Sequence, residues 1–424
     1  MRFDTIIIGG GLSGLVCGIA LAESGQRCAI VSTGQSALHF CSGSFDLLGR
    51  VNVFDVETPR STLAKVIPQG HPYSVIGPDN VLKLAGQVPA MLKRAGIGVH
   101  GSAERNHYRI TPLGILKPTW LSLDDFTVIP ECKKLPWNRI SIQNIAGFLD
   151  FHTAFVASNL ERMGSECTVS AFTLPELDRL RKNPTEMRSV NIAKTLDNDD
   201  IIRRLIPEIV DNMAGAQAVA LPAVFGLGDD APVRLLKSEL KRALGVTVCF
   251  IPVLPPSVPG IRVQTLLRRR FENLGGVYLL GDTVNCAEIS GGRVTSVTTE
   301  NLADDALEAR DFVLATGSFF GRGLVARPDG IADPLFGLDT NAPGDRSLWY
   351  KHNLFDAQPY MRFGVKTDEA LRGLINGTPV ENLRVVGAGL GGFDPIKEAS
   401  GAGVSIISAL HAASLIAKSD SSHE

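Results

Sequence analysis

The first 32 residues constrain this chain more than any other stretch, because they spell a strand, a glycine turn, a helix and a second strand in unbroken order. Phe3 to Ile8 (F-D-T-I-I-I) reads as a short buried parallel strand, since its isoleucine run is β-branched and stops at glycine. Gly9-Gly10-Gly11-Leu12-Ser13-Gly14 follows as a G-x-G-x-x-G, and Leu15 to Ser24 is helical in character up to Gly25. Arg27 to Val31 is the second strand. In such a unit Gly9 permits the tight turn, Gly11 lets a phosphate approach the backbone, and Gly14 lets the helix sit close on the strand. Exposed first-turn amides and the helix dipole then favour a pyrophosphate. Alone, a G-x-G-x-x-G is a weak signal; framed by both strands and the helix, it predicts an α/β, Rossmann-like nucleotide-binding domain.

The second strand of such units usually ends in Asp or Glu, roughly 20 residues after the glycines, where the carboxylate binds ribose hydroxyls. Here Ser32-Thr33 takes that place. A hydroxyl binds ribose less strongly, which leaves room for the shorter flavin FMN or for a loosely held FAD. The next segment, Gly34 to Asp46, is dense in small and hydroxyl residues with one histidine. Ser36, His39, Ser42, Gly43 and Ser44 are candidates to run along an isoalloxazine ring; an ordinary βα loop fits the same residues.

Far downstream, Val263 to Leu274 has amphipathic helical spacing. Val277 to Glu288 and Arg293 to Glu300 are alternating runs joined by Ser290-Gly291-Gly292, a hairpin signal. Asp311 to Gly317 (D-F-V-L-A-T-G) reads as a buried strand that returns to the cofactor at Thr316-Gly317. The closing block has a strand and turn at 382–389, containing Gly387 and Ala388, then a loop with Gly392. Gly401-Ala402-Gly403 opens a helix continuing from Val404 to Ala417. Such a helix aims its positive end at the N1/C2=O edge of a flavin and stabilises the reduced ring. Ala388 stands where an acidic residue commonly binds the ribityl chain.

Between these ends, residues 60–260 carry few motifs, with helical stretches at 81–95 and 148–163 and strands at 218–222 and 246–251. At 424 residues the chain exceeds one ordinary core. The expected organisation is a flavin-binding domain in two parts, 1–60 and 260–424, with an inserted cap or substrate domain at 61–259. A net charge of −2 gathers neither nucleic acid nor anionic lipid, and Arg268-Arg269-Arg270 reads as a local solvated helix face. Seven cysteines are scattered without C-x-x-C or metal-ligand spacing, so neither a cluster nor another metal is expected. Their odd number and apolar surroundings suit a reducing, cytoplasmic setting. No run reaches the ~18 uninterrupted apolar residues of a membrane span, so membrane contact is expected to be peripheral.

Beyond these elements, M-R-F-D-T at the start, G-Q-S-A-L-H-F at 34–40, H-P-Y-S at 71–74, T-P-L-G at 111–114, L-P-P-S at 254–257, G-S-F-F at 317–320 and L-G-G-F-D-P-I at 390–396 carry a resemblance. They closely resemble, almost end to end, the B-subunit family of anaerobic, quinone-linked glycerol-3-phosphate dehydrogenases. More remotely, the A-T-G strand and C-terminal block look like the fumarate reductase and succinate dehydrogenase flavoproteins. The resemblance implies a Rossmann-like flavin domain of that type with an inserted α+β cap, and FMN as cofactor. It also implies two partners: an FAD-carrying catalytic subunit, and an iron–sulfur subunit that holds the pair at the inner face of the cell membrane. The implied reaction is oxidation of sn-glycerol 3-phosphate to dihydroxyacetone phosphate with electrons passed to quinone. A base would take the C2 hydroxyl proton as hydride moves to the flavin, and cations would hold the phosphate. The candidates are His39, His352 and Arg362, with Arg262 and Lys351. A second function is open: a non-catalytic flavin subunit that relays electrons from a catalytic partner. A dicarboxylate dehydrogenase follows from fold analogy alone.

Overall fold

A computed structural model describes residues 1–130, 134–182, 187–302 and 305–420. The chain divides into two compact units, each discontinuous in sequence. One comprises 1–37, 46–95 and 267–424, the other 38–45 and 96–266.

The elements of the first unit that bear on function are β1 (Arg2–Ile8), α1 (Leu12–Glu23), β2 (Cys28–Ser32), α2 (Pro78–Arg94), α3 (Val258–Asn273, entering this unit at Leu267), β3 (Val277–Leu280), β4 (Val284–Ser290), β5 (Arg293–Thr299), β6 (Leu307–Leu314), β7 (Thr378–Val385) and α4 (Gly401–Asp420). A parallel sheet runs in the order β3, β2, β1, β6, β7. The isoleucines of β1 sit at its centre, with Ile6 paired to Ala29 on one side and Phe312 on the other, and Ile6, Ile7 and Ile8 are buried. A strand covered on both faces needs such a continuous apolar run. α1 packs on α4, and α4 also packs on α2.

One expected hairpin arm divides in two. Val277–Leu280 joins β2 in parallel, whereas Val284–Ser290 pairs antiparallel with Arg293–Thr299. Gly281 turns the chain between them at φ +78°, and buried Asp282 fixes the turn by accepting from the Thr283 and Asn301 amides and the Thr299 hydroxyl. α4 opens at Gly401, as its glycine-rich start predicts, and runs to Asp420, three residues beyond Ala417. By length and composition Gly401–Ser419 could cross a membrane, and half of its most apolar window is buried inside the protein.

The second unit carries its own parallel sheet, in the spatial order Glu166–Phe172, Arg139–Ile145, Ala218–Pro222, Thr247–Ile251. Every residue of Ala218–Pro222 is buried, as expected of a strand covered on both faces. Cys17, Cys28 and Cys249 are buried; burial pushes the Cys28 thiol up to about 12 and the Cys249 thiol up to about 11. Cys132 lies outside the described residues.

Candidate functional site

The carboxyl ends of the first unit's parallel strands are stitched at one level. Gly9 donates to the Val31 carbonyl (2.9 Å), Ala315 to Ile8 (2.8 Å) and Val386 to Leu314 (3.0 Å). Ligands of open parallel sheets bind at this edge. Gly9 has φ +117°, and a Cβ there would stand 2.3 Å from the Ala315 carbonyl oxygen. At Gly14 a Cβ would meet the Gly9 carbonyl at 1.9 Å, so helix and strand touch backbone to backbone. Both positions require glycine for the protein's own packing.

Gly11 differs. Its backbone is extended (φ −82°, ψ −169°), and a Cβ would find only Ser36 Cβ, at an ordinary 3.6 Å. Nothing among the described residues demands glycine there. The first-turn amides of Leu12, Ser13 and Gly14 have no acceptor among the described residues, and α1 has neither a side-chain cap nor an acidic residue in its first turn. Free amides at a helix's positive end suit a phosphate.

Ser32 closes β2 directly beside this turn. Its Oγ accepts from the Gly34 amide (3.3 Å), and a Cβ on Gly10 would lie 2.4 Å from that oxygen and 2.1 Å from the Tyr278 hydroxyl. Tyr278 donates to the Gly10 carbonyl (3.4 Å) and lies beneath the Arg268 guanidinium, 4.8 Å from its ring centre. Two hydroxyls therefore occupy the place of the usual ribose-binding carboxylate. Tyr278 escaped the sequence reading because its alternating run looked like a hairpin arm.

The second glycine-rich junction spends most of its amides on the protein. Gly387 donates to Ser408 Oγ (2.9 Å), Gly392 to the Arg362 carbonyl (2.9 Å), Gly403 to the Asp46 carbonyl (2.8 Å) and Val404 to the Ser400 carbonyl (2.8 Å). A Cβ on Gly403 would fall 2.3 Å from the Tyr73 hydroxyl and 2.7 Å from Leu47 Cα, and one on Gly392 2.2 Å from the Gly70 carbonyl. Among the described residues the Gly401 and Ala402 N–H groups have no acceptor. Thr316 and Gly317 are half-buried just past β6. Gly317 has φ +84° and open space where a Cβ would stand.

His39, Ser42 and Gly43 fall in the second unit, Ser36 in the first. Burial pushes the His39 imidazole below its ordinary value, against the opposing hydrogen bond with Gln264, and its carbonyl accepts from Ser257 (2.7 Å). Ser42 Oγ lies 3.0 Å from Ser44 Oγ, and the Ser42 carbonyl accepts from buried Arg109 (2.7 Å). Gly43, at φ +75°, presses on the Phe126 ring. Arg262 is buried and occupied, ion-paired with Asp125 and donating to the Gly226 carbonyl (2.8 Å). Lys351 and His352 are exposed; the His352 ring contacts Tyr350 edge-on.

Arg362 is exposed as well, but it is anchored: it donates to Glu398 (2.7 Å), which also receives buried His71 Nε2 (3.1 Å). Burial raises the Glu398 carboxyl, yet the hydrogen bond from His71 and the charge of Arg362 hold it below its ordinary value. His71 and Glu398 were missed as site residues. The available signal was H-P-Y-S, a histidine before a helix-starting proline.

This donor set fits a flavin. Gly11 and the amides of Leu12, Ser13 and Gly14 suit a phosphate at the start of α1, and among the described residues the Gly401 and Ala402 amides at the start of α4 have no acceptor. A model of an FAD binding domain matches residues 4–404. The chain is 46% identical over 421 residues to the B subunit of the anaerobic glycerol-3-phosphate dehydrogenase of Yersinia enterocolitica, covering 98% of each chain. It is 44% identical to the protein of the same name from Pectobacterium atrosepticum, covering 99% of each. A solved 3-ketosteroid delta1-dehydrogenase from Sterolibacterium denitrificans aligns over 99% of this chain and 100% of its own, at 12% identity and a TM-score of 0.44. The chain belongs to the B-subunit family of anaerobic glycerol-3-phosphate dehydrogenases, flavoproteins that form part of a larger complex.

Proposed function

We propose that this chain is the flavin subunit of a dehydrogenase that oxidises sn-glycerol 3-phosphate to dihydroxyacetone phosphate and delivers electrons to a quinone (EC 1.1.5.3) in fumarate or nitrate respiration. The observation that carries the reading is the near end-to-end similarity to proteins named for that dehydrogenase. Its partners are an FAD-carrying catalytic subunit and an iron–sulfur subunit that holds the assembly at the inner face of the cell membrane.

FMN is the flavin we assign. In support, the Ser32 and Tyr278 hydroxyls stand over Gly10, where an adenosine ribose would want a carboxylate. The α1 amides of Leu12, Ser13 and Gly14 would hold its phosphate. The Gly401 and Ala402 amides at the start of α4 would favour negative charge on the bound flavin. Ser36, Thr316 and Gly317, all in the first unit, would line it. The flavin, when bound, supplies the hydride acceptor. His39 takes the C2 hydroxyl proton, a role supported by the burial that favours its neutral, proton-accepting form. Exposed His352 is the second candidate for that proton, and Arg362 and Lys351 are the cations offered to the phosphate.

The test is the full chain purified anaerobically, its released flavin weighed by mass spectrometry, and glycerol 3-phosphate added. The expected results are the mass of FMN and bleaching of the flavin band. An FAD mass would overturn the cofactor assignment. Bleaching only after addition of the FAD-carrying partner would replace catalysis by electron relay, and a chain that retains no flavin would sink both.

A further inference from the structure

The chain His71–Glu398–Arg362 runs from the interior to the surface and joins residues far apart in sequence. His71 is 1% exposed, and its Nδ1 accepts from the Tyr73 amide at 3.0 Å, so the proton sits on Nε2 and is donated to Glu398 Oε2 at 3.1 Å. Glu398 is fixed further by its backbone. Its carbonyl accepts from Gly49 (3.0 Å) and Arg50 (2.9 Å), and its amide donates to the Asp394 carbonyl (3.0 Å). The other carboxylate oxygen, Oε1, receives Arg362 Nη2 at 2.7 Å. The Arg362 carbonyl is held by Gly392 (2.9 Å) and by Asn341 Nδ2 (3.0 Å), so main chain and side chain are both anchored.

A structural tie would consume the guanidinium, as happens at buried Arg262. Here Nε and Nη1 have no acceptor among the described residues, and the side chain is 45% exposed. Glu398 lies just ahead of the α4 terminus, where the Gly401 and Ala402 amides are also free. A surface arginine ordinarily loses much rotamer freedom on binding a ligand; one already fixed by a buried acceptor loses less.

We propose that His71 and Glu398 are positioning residues that hold Arg362 ready to bind the phosphate dianion of the substrate. The assignment of that phosphate to glycerol 3-phosphate rests on the function proposed above, whereas the anion site does not. His71 contacts no ligand in this role; it fixes the carboxylate that fixes the guanidinium. Arg362 supplies the remaining N–H donors to phosphate oxygens, a geometry that a lysine would meet only as a point charge.

The test uses the full flavin-loaded chain, with calorimetric titration of glycerol 3-phosphate, inorganic phosphate and uncharged glycerol, alongside flavin content and thermal midpoint. Arg362→Ala is expected to weaken glycerol 3-phosphate roughly 10- to 100-fold and inorganic phosphate in parallel, with flavin content unchanged. Arg362→Lys should recover part of the loss. Glu398→Gln and His71→Gln should each raise KM more than they lower kcat, by roughly five- to tenfold. Neither should weaken binding further in the Arg362→Ala background. Because buried His71 risks the fold, Glu398→Gln and its cycle with Arg362→Ala decide the matter. Equal losses with and without Arg362, unchanged affinity in Arg362→Ala, or no anion binding by the unaltered chain would each overturn the proposal. Arg362-dependent binding of inorganic phosphate without flavin bleaching by glycerol 3-phosphate would keep the anion site and overturn the substrate.

Discussion

The two glycine-rich junctions of the first unit look alike in sequence and are built on opposite terms. At the first, packing claims Gly9 and Gly14 while Gly11 faces open space, and three consecutive amides of α1 are left without a protein acceptor among the described residues. At the second, Gly387, Gly392 and Gly403 all give their amides to the fold, whereas those of Gly401 and Ala402 have no acceptor among the described residues. Glycine density therefore marks close approach, but only the destination of each N–H tells whether backbone or ligand does the approaching.

The contrast can be broken by substitution. The largest effect belongs to Gly14→Ala, whose new Cβ would stand 1.9 Å from a backbone oxygen that no side-chain adjustment relieves. A stability loss of about 3 kcal/mol, with flavin binding abolished, is expected in denaturant titration and flavin assay. Gly11→Ala sharpens the comparison, because its backbone is ordinary and its Cβ meets nothing closer than 3.6 Å. The flavin-free protein should gain roughly 0.4–1 kcal/mol by losing freedom in the unfolded chain, while flavin affinity falls roughly tenfold or more. A variant that binds flavin normally would remove the ligand-facing role from Gly11.

At the second junction the signs reverse. Ser408→Ala removes the acceptor of the buried Gly387 amide and should cost about 1 kcal/mol in thermal or urea unfolding, with flavin affinity within twofold of the parent. A large loss of flavin would show that this amide serves the ligand through Ser408. The smallest effect is one of pH. Glu398 has a carboxyl value below its ordinary 4.5, so its stabilising contribution is complete above that value and is lost as pH falls through the lower folded value. Glu398→Gln should flatten the thermal midpoint below pH 4.5 and leave its slope near neutrality unchanged.

Local chemistry made the β1–α1–β2 unit legible, since strand, turn and helix lie within 32 contiguous residues. Legibility failed where one pattern serves two structures. Val277 to Glu288 alternates throughout, and only the turn at Gly281, braced from Thr299 and Asn301, separates the parallel strand from the hairpin. Arg139–Ile145 and Glu166–Phe172 carry polar residues among their apolar ones and gave no sign of the strands they form in the second unit. In the site, Gly11 and Gly403 are indistinguishable as letters; Tyr73 and Leu47, brought in by the tertiary fold, decide that Gly403 is a packing residue. His71 and Glu398 stand 327 positions apart, beyond the reach of any spacing rule.

That separation has a counterpart in the order of synthesis. β1 needs β6 on its far side, and the registered pair Ile6 and Phe312 are about 300 residues apart. A ribosome adding roughly 5–20 residues per second leaves this isoleucine-rich strand with one open edge for roughly 15–60 s. The intervening second unit, with its sheet complete by Ile251, emerges whole in that interval. The newborn chain therefore carries a finished guest within an unfinished host, and its early vulnerability to edge-to-edge aggregation belongs to its first eight residues.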